Sequence, residues 1–243
     1  MIAFIPFIIL LVFLIIKRGE VMAIFAKRKF GKGNLKGAIR TFAIAKRFGK
    51  LGAPSLMFYG YLLLRDGQLE QGRVILTQAS MVAKKTEIKK RIKALLAVCE
   101  WKAGDIDMAI EMTEETMYEY ETTNLYQNLG LLYVVKGDAR KALEINKKAY
   151  EYNSDDDMIM DNLASAYVLY GEDEKAVEMY EKLYERKPRF PEAYYGYGQL
   201  LIKLGQREKG IALIEESLGK NFSFLSVLQR EDVEKMLEEA KSE

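Results

Sequence analysis

The sequence predicts an all-α solenoid of about six stacked helical hairpins, and two regularities support this prediction. Six glycines recur along the chain at steps of 34, 37, 33, 34 and 34 residues. A small residue lies seven positions before each of these glycines, and another lies five positions after it. Self-similarity at a fixed period of roughly 20–50 residues is typical of stacked repeats. The periodic glycines are Gly33, Gly67, Gly104, Gly137, Gly171 and Gly205.

Each period is predicted to be two antiparallel helices joined by a tight turn. The periodic glycine fits the turn because glycine adopts the left-handed conformation of a helix C-cap at little steric cost. The small residues are predicted to lie where the two helices cross, since only small side chains let the backbones approach. They are Ala26, Gly60, Ala97, Gly130, Ala164 and Gly198 before the glycine, and Ala38, Gly72, Ala109, Ala142, Ala176 and Gly210 after it.

The fourth and fifth periods carry the clearest signature. The stretch "YQNLGLLY", from Tyr126 to Tyr133, is followed by "GDARKALEINKKA", and the next period ends at Pro188. These units resemble tetratricopeptide repeats, which implies a right-handed superhelical solenoid of helix-turn-helix units of about 34 residues. We place the units at about 19–52, 53–89, 90–122, 123–156, 157–190 and 191–222.

An end of a solenoid needs a cap with one polar face. Residues 223–243 are predicted to form a C-terminal capping helix. In that helix Phe224, Val227 and Leu228 would face the last repeat, and the acidic side chains would face water.

The first sixteen residues carry no charged side chain, and Lys17 and Arg18 end the run. As a helix they would span about 24 Å, short of the ~30 Å hydrocarbon core, a gap that bilayer thinning and snorkelling can close. We predict a transmembrane anchor at residues 1–18. A cleaved signal peptide is an alternative that lacks a basic region before the apolar stretch. A buried first helix is another, but the run has no polar face for a solenoid end.

Positive charge follows this segment and none precedes it. Residues 1–50 carry eleven Lys or Arg and one acid, a net charge of +10, and the remaining residues carry −8. The positive-inside rule therefore predicts a single-pass membrane protein with its N-terminus outside and its repeats in the cytoplasm, which suggests a bacterial protein. Five cations are candidates for contact with anionic lipid, unless they only set topology. They are Lys17, Arg18, Lys27, Arg28 and Lys29.

The composition argues against catalysis and against metal or cofactor binding. The chain has no His and one Cys, so it has no His-based triad, zinc cluster or disulfide of its own. The run Asp155, Asp156 and Asp157 lies at a predicted helix start, where acids cap the helix. The basic cluster from Lys84 to Lys93 lacks interleaved aromatic residues, so a nucleic-acid partner is not predicted.

The family resemblance implies that the first helix of each unit lines a concave groove. Asn128 and Asn162 occupy the same step in adjacent units, and peptide-binding members of the family use an Asn there to hold the ligand backbone. An amide can donate and accept at once, which suits an extended peptide. The alternative is that both amides bond within the solenoid. The other predicted groove residues are Gln127, Leu131, Asp161, Ser165, Tyr195 and Gln199.

Together these observations predict a membrane-tethered scaffold for protein–protein interaction, with a protein or extended peptide bound in the groove. Two alternatives remain from the sequence. One is a secreted or envelope-side repeat protein with a cleaved leader. The other is a regulatory subunit of a membrane-bound enzyme.

Overall fold

A computed structural model of the chain describes residues 17–242. In this range the chain forms thirteen α-helices and no β-strand. It divides into two compact units, which meet in sequence between Ala103 and Gly104. Unit 1 ends at Ala103, unit 2 begins at Gly104, and each is described by itself below.

Unit 1 contains five helices. They are α1 (Arg18–Gly31), α2 (Leu35–Phe48), α3 (Ala53–Arg65), α4 (Leu69–Val82) and α5 (Thr86–Lys102). Helices α1 and α2 pack as one hairpin and α3 and α4 as the next, and α3 also contacts α2 and α5. Sequence-adjacent antiparallel packing with a shared core is the arrangement that the repeat period predicts.

Unit 2 contains eight helices. They are α6 (Ile106–Glu119), α7 (Thr123–Lys136), α8 (Ala139–Tyr152), α9 (Asp157–Tyr170), α10 (Asp173–Glu185), α11 (Pro191–Lys203), α12 (Arg207–Ser217) and α13 (Arg230–Ser242). The hairpins are α7–α8, α9–α10 and α11–α12. Their first helices also contact one another, α7 with α9 and α9 with α11, so they form a continuous layer.

The periodic glycines adopt the predicted left-handed conformation. All six have positive φ, between 78° and 97°. At Gly137 the amide donates to the Val134 carbonyl and the next amide, Asp138, donates to the Tyr133 carbonyl, which is the Schellman pattern. A Cβ added at Gly137 would meet nothing within 4 Å, so the backbone conformation favours glycine there and packing does not.

The small residues lie at close helix crossings, as predicted. In unit 1, a Cβ on Gly60 would lie 2.6 Å from Cγ of Leu76. In unit 2, a Cβ on Gly198 would lie 2.6 Å from the carbonyl oxygen of Gly210 on the partner helix. A side chain at these positions would push the two helices apart.

The chain's one cysteine lies inside unit 1. Cys99, on α5, is fully buried. Burial raises the pKa of its thiol to about 12, although Arg73 opposes the shift. Arg73 donates to the Glu100 carboxylate at 2.9 Å, so the cation beside the thiol is itself paired. A buried thiol with a raised pKa is a packing group and not a nucleophile.

The first helix caps a later one within unit 1. Helix α3 begins after Gly52, which has no side chain to cap it. Glu20 of α1 supplies the acceptors: Oε1 accepts from the Gly52 amide at 2.5 Å and Oε2 accepts from the Ser55 hydroxyl at 2.7 Å. A carboxylate at a helix N-terminus also interacts favourably with the helix dipole.

The predicted capping helix packs against the preceding hairpin, but it begins at Arg230 and not at residue 223 as expected. Leu228, Val233 and Leu237 pack against Ile214 of α12, whereas Val227 is 42% exposed. Residues 223–229 stay non-helical because their backbone amides have other acceptors. One of these is Ser226 Oγ, which accepts from the Ser223 amide at 3.3 Å.

The predicted transmembrane anchor falls almost wholly on residues 1–16, which lie outside the described residues. Between residues 17 and 242, no helix combines the length and apolar character needed to cross a bilayer. The longest helix there, α5, has 17 residues and carries several charges, whereas a span needs about 20 apolar residues. The prediction of a single-pass membrane protein with an outward N-terminus and cytoplasmic repeats is corrected accordingly, because residues 17–242 provide no membrane span.

Two of the five cations predicted to face lipid are engaged inside unit 1. Lys29 donates to the Thr41 hydroxyl at 2.9 Å, and the Lys27 ammonium lies 5.9 Å from the centre of the Phe58 ring. The other three, Lys17, Arg18 and Arg28, are exposed. Their predicted contact with lipid depended on the membrane location and is withdrawn with it.

Candidate functional site

The predicted groove residues lie on the layer formed by α7, α9 and α11. They recur ten, nine and six positions before the periodic glycine of each unit. The first set is Gln127, Asp161 and Tyr195, the second is Asn128, Asn162 and Gly196, and the third is Leu131, Ser165 and Gln199. We call these nine positions the groove row.

Between α7 and α9 the groove row is joined by amide hydrogen bonds. Asn162 is buried, and its amide nitrogen donates to the Gln127 carbonyl at 2.9 Å. The Gln127 side chain donates to Asp156 at 2.7 Å. Asp156 in turn accepts from the amides of Met158 and Ile159 and so caps α9, as the sequence predicted for this acidic run. Asn162 therefore bonds within the solenoid, the alternative that the sequence left open.

Asn128 differs from Asn162 although both occupy the same step. Its side chain is half-buried, and no hydrogen bond joins it to any described residue. Leu131, one turn later on α7, is also half-buried. The Asn128 amide is thus a donor and an acceptor that the fold itself does not use.

Between α9 and α11 the groove row has a tyrosine hydroxyl in place of an amide. Gly196 stands at the step of the two asparagines, and the hydroxyl of Tyr180 from α10 occupies the space that a side chain there would take. That hydroxyl shares a 3.0 Å hydrogen bond with Ser165. Burial raises the pKa of Tyr180, so the phenol stays protonated.

Asp161 lies beside this tyrosine and is 8% exposed. Its Oδ1 atom is buried without a hydrogen-bond partner in the described chain. Burial raises the pKa of the carboxyl well above its usual range, and the negative charge of Glu192 raises it further. An ionised carboxylate in this place is costly unless a cation or donor reaches it.

Tyr195 and Gln199 lie at the far end of the groove row. The Gln199 amide donates to the Tyr195 hydroxyl at 2.9 Å. Tyr195 also packs against the cluster of Ile214, Leu228, Val233 and Leu237 below the capping helix. The capping helix therefore contacts the groove row at its last unit.

A cleft of about 480 Å³ opens at the start of α9. Arg186 lines it and donates to Asp157 at 2.6 Å and to the Asp155 carbonyl at 2.5 Å. Gln127 and Met158 bring the end of the groove row to the same cleft. No group of three or more metal-ligating side chains occurs in the described residues.

Two residues of this site were not predicted from the sequence, Tyr180 and Glu192. Tyr180 stands on a second helix, and its position predicts core packing. Glu192 is the second residue of α11 and occupies the step that Met158 holds on α9. Its closeness to Asp161 had a signal, because 31 residues separate the two acids, one repeat less one turn. That spacing brings them near each other on adjacent first helices.

A family model of the tetratricopeptide repeat matches residues 159–190 and 191–219. These stretches coincide with the hairpins α9–α10 and α11–α12 and with the predicted units 157–190 and 191–222. No curated protein matches the chain.

Solved structures extend the likeness beyond these two repeats. A chain of the APC/C heterotetramer Cut9–Hcn1 is similar to 91% of this chain with a TM-score of 0.74, at 14% identity and over 42% of its own length. A thermophilic tetratricopeptide-repeat protein of Thermus thermophilus is similar to 79% of this chain over its whole length, with a TM-score of 0.65 and 18% identity. The repeat protein YrrB is similar to 79% of this chain over 92% of its own, with a TM-score of 0.51 and 17% identity.

The chain has the tetratricopeptide-repeat fold. At these identities the likeness establishes the architecture of stacked helical hairpins and not a function.

Proposed function

We propose that this tetratricopeptide-repeat protein is an interaction scaffold that binds an extended segment of a protein or peptide along the groove row of unit 2. Proteins with this fold generally mediate protein–protein interaction and are typically scaffolds without catalytic activity of their own. The repeat protein YrrB, which shares the fold, is described as having an unusual peptide-binding site.

The observation that carries the proposal is the unused amide of Asn128. Asn162, at the equivalent step, spends its donor on the Gln127 backbone, whereas Asn128 is half-buried and bonded to no described residue. A partly desolvated amide with free donor and acceptor atoms is suited to the alternating N–H and C=O groups of an extended chain. The half-buried Leu131 adds apolar contact one turn away.

The test starts from selection of random twelve-residue peptides displayed on phage, using the full chain as bait. A selected peptide is then titrated against the wild type and Asn128→Ala. We expect the substitution to weaken binding by about 1–3 kcal/mol, since it leaves ligand backbone groups unpaired. The groove residue carries little of the core, so the melting temperature should stay unchanged.

Gln71→Ala is the matched control, because Gln71 is an exposed amide on α4, outside unit 2. It should leave the affinity of the peptide unaltered. Equal affinities for the wild type and a well-folded Asn128→Ala protein would refute the groove row as the binding surface. Failure to select any peptide would refute the proposal as a whole.

A further inference from the structure

Asp161 is a buried acid that the fold leaves without a counter-charge. It is 8% exposed, and its Oδ1 atom has no hydrogen-bond partner among the described residues. The charged group that acts on it is another acid, Glu192, which raises its pKa further. Buried carboxylates are normally paired or fully hydrogen-bonded, because desolvating an unpaired charge is costly.

The neighbouring hydroxyls donate no hydrogen bond to Asp161 Oδ1. Tyr180 and Ser165 share one hydrogen bond with each other, and Gly196 presents no side chain. Of the polar side chains Tyr180, Ser165 and Asp161 between α9 and α11, the first two are therefore hydrogen-bonded and Asp161 Oδ1 is not. Glu192 stays close by because its carboxylate accepts hydrogen bonds from Ser226 and from backbone amides of the loop before α13.

The cations of the three first helices are already engaged, and they lie at the helix ends. Lys136, at the end of α7, pairs with Asp107 at 2.5 Å. Lys203, at the end of α11, pairs with Asp173 at 2.7 Å. The acid Asp157 is paired with Arg186. Within the groove row, the ionisable group that the described residues leave without a partner is an acid, Asp161.

We propose that the groove row recognises its peptide through a lysine or arginine side chain whose cation pairs with the Asp161 carboxylate. This inference rests on the proposed function and names the chemistry of the ligand. A long, narrow side chain suits the site, since Asp161 keeps 8% of its surface exposed and the stem of Lys or Arg can carry a charged head to an acid below the surface. A metal ion suits it less well, because the described residues offer no third ligand.

The ionisation of Asp161 gives the proposal a second signature. Burial raises the pKa of this carboxyl, so the free protein holds the proton to an unusually high pH. A cation binds the ionised form, and binding should release a proton. The titratable groups that act on Asp161 are Glu192 on α11 and Tyr180 on α10. The equivalent groove-row position on α7 is the neutral Gln127. Lys147 of α8 lies over the Tyr167 ring, 5.7 Å from its centre.

The experiment compares three full-length baits in the same phage selection: wild type, Asp161→Asn and Glu174→Gln. Asn keeps the shape of Asp, and Glu174 is an exposed acid on α10, so the third bait loses the same charge elsewhere. We expect Lys or Arg to be enriched at one peptide position with the wild type and the control, and not with Asp161→Asn. Titration of the selected peptide should show at least a tenfold loss on Asp161→Asn, and none on Glu174→Gln.

A second peptide, with norleucine in place of the basic residue, completes the test. It should bind the wild type and Asp161→Asn equally, and its affinity should not change with pH. The basic peptide should bind the wild type more tightly as pH rises until Asp161 is ionised. Selected peptides without a basic residue, or equal affinity for wild type and Asp161→Asn, would overturn this inference and leave the peptide-binding scaffold standing. If the wild-type bait selected no peptide, both this inference and the proposed function would be overturned.

Discussion

Units 1 and 2 are built from the same type of repeat but carry different side chains at the same step of their first helices. Nine positions before the periodic glycine, unit 1 has Phe58 where unit 2 has Asn128 and Asn162. Phe58 packs edge-on against Phe30, with ring centres 5.5 Å apart, and lies near the Lys27 ammonium. In unit 2 the same step supplies two amides and, in the last hairpin, Gly196. The backbone pattern is thus common to both units, and the exposed edge of the first helices is free to specialise.

The largest expected effect tests what the two units share, the tight helix crossing. Gly60→Leu in unit 1 and Gly130→Leu in unit 2 should each lower the free energy of unfolding by about 1–3 kcal/mol or more, because the new side chain overpacks the crossing. At Gly130 it would collide with the Asn146 amide, which donates to the Gly130 carbonyl at 3.1 Å. Thermal unfolding followed by circular dichroism measures the change.

Gly31→Leu is the control for both substitutions, since a Cβ there meets nothing within 4 Å. It should change stability by less than about 0.5 kcal/mol. If Gly130→Leu melted at the wild-type temperature, the crossing described for unit 2 would be contradicted.

The next effect in size is expected from Asp161, the acid in the groove row of unit 2. Below the ordinary pKa of 3.8, Asp161 is protonated in the folded and unfolded chain alike and costs nothing. As pH rises, the unfolded chain ionises first, so stability is lost up to the raised pKa of the folded state. Asp161→Asn should therefore raise the free energy of unfolding at neutral pH, by about 1–3 kcal/mol.

Unfolding in denaturant at a series of pH values measures this difference. The gain from Asp161→Asn should shrink towards zero as pH falls towards 4, whereas Glu174→Gln should show no such trend. A destabilised Asp161→Asn protein at neutral pH would mean that the carboxylate has a partner after all.

The smallest effect concerns the cap that only unit 1 supplies from its first helix. Glu20→Ala removes both acceptors from the start of α3 and should cost about 1 kcal/mol. Glu87→Ala, an exposed acid in the first turn of α5, is the control and should cost less. Equal melting temperatures for the two variants would show that the Glu20 contacts add nothing to stability.

The sequence predicted the parts of the fold that repeat. The glycine turns and small-residue crossings recur in all six units, so their meaning could be read without knowing any side-chain contact. The start of the capping helix was misplaced because it depends on a single event, the capture of backbone amides around Ser226. The predicted membrane location failed for a related reason: it rested on one terminal segment, with no repetition to support it.

The sequence could predict where the candidate site lies, but not which of its side chains are hydrogen-bonded within the fold. Spacing alone placed Asn128 and Asn162 at one step, yet only side-chain geometry shows that one amide is spent and the other is free. The cluster around Asp161 depends on Tyr180 entering the gap at Gly196 from the second layer. Such a contact joins side chains of two different helices, so the residue pattern of neither helix predicts it.

The buried thiol of Cys99 can report local unfolding of unit 1. Alkylating reagents attack the thiolate, and at neutral pH burial and a pKa of about 12 suppress both access and ionisation. Modification must then wait for a local opening that brings α5 into water. Since the chain has one cysteine, its labelling rate counts these openings without any engineered probe.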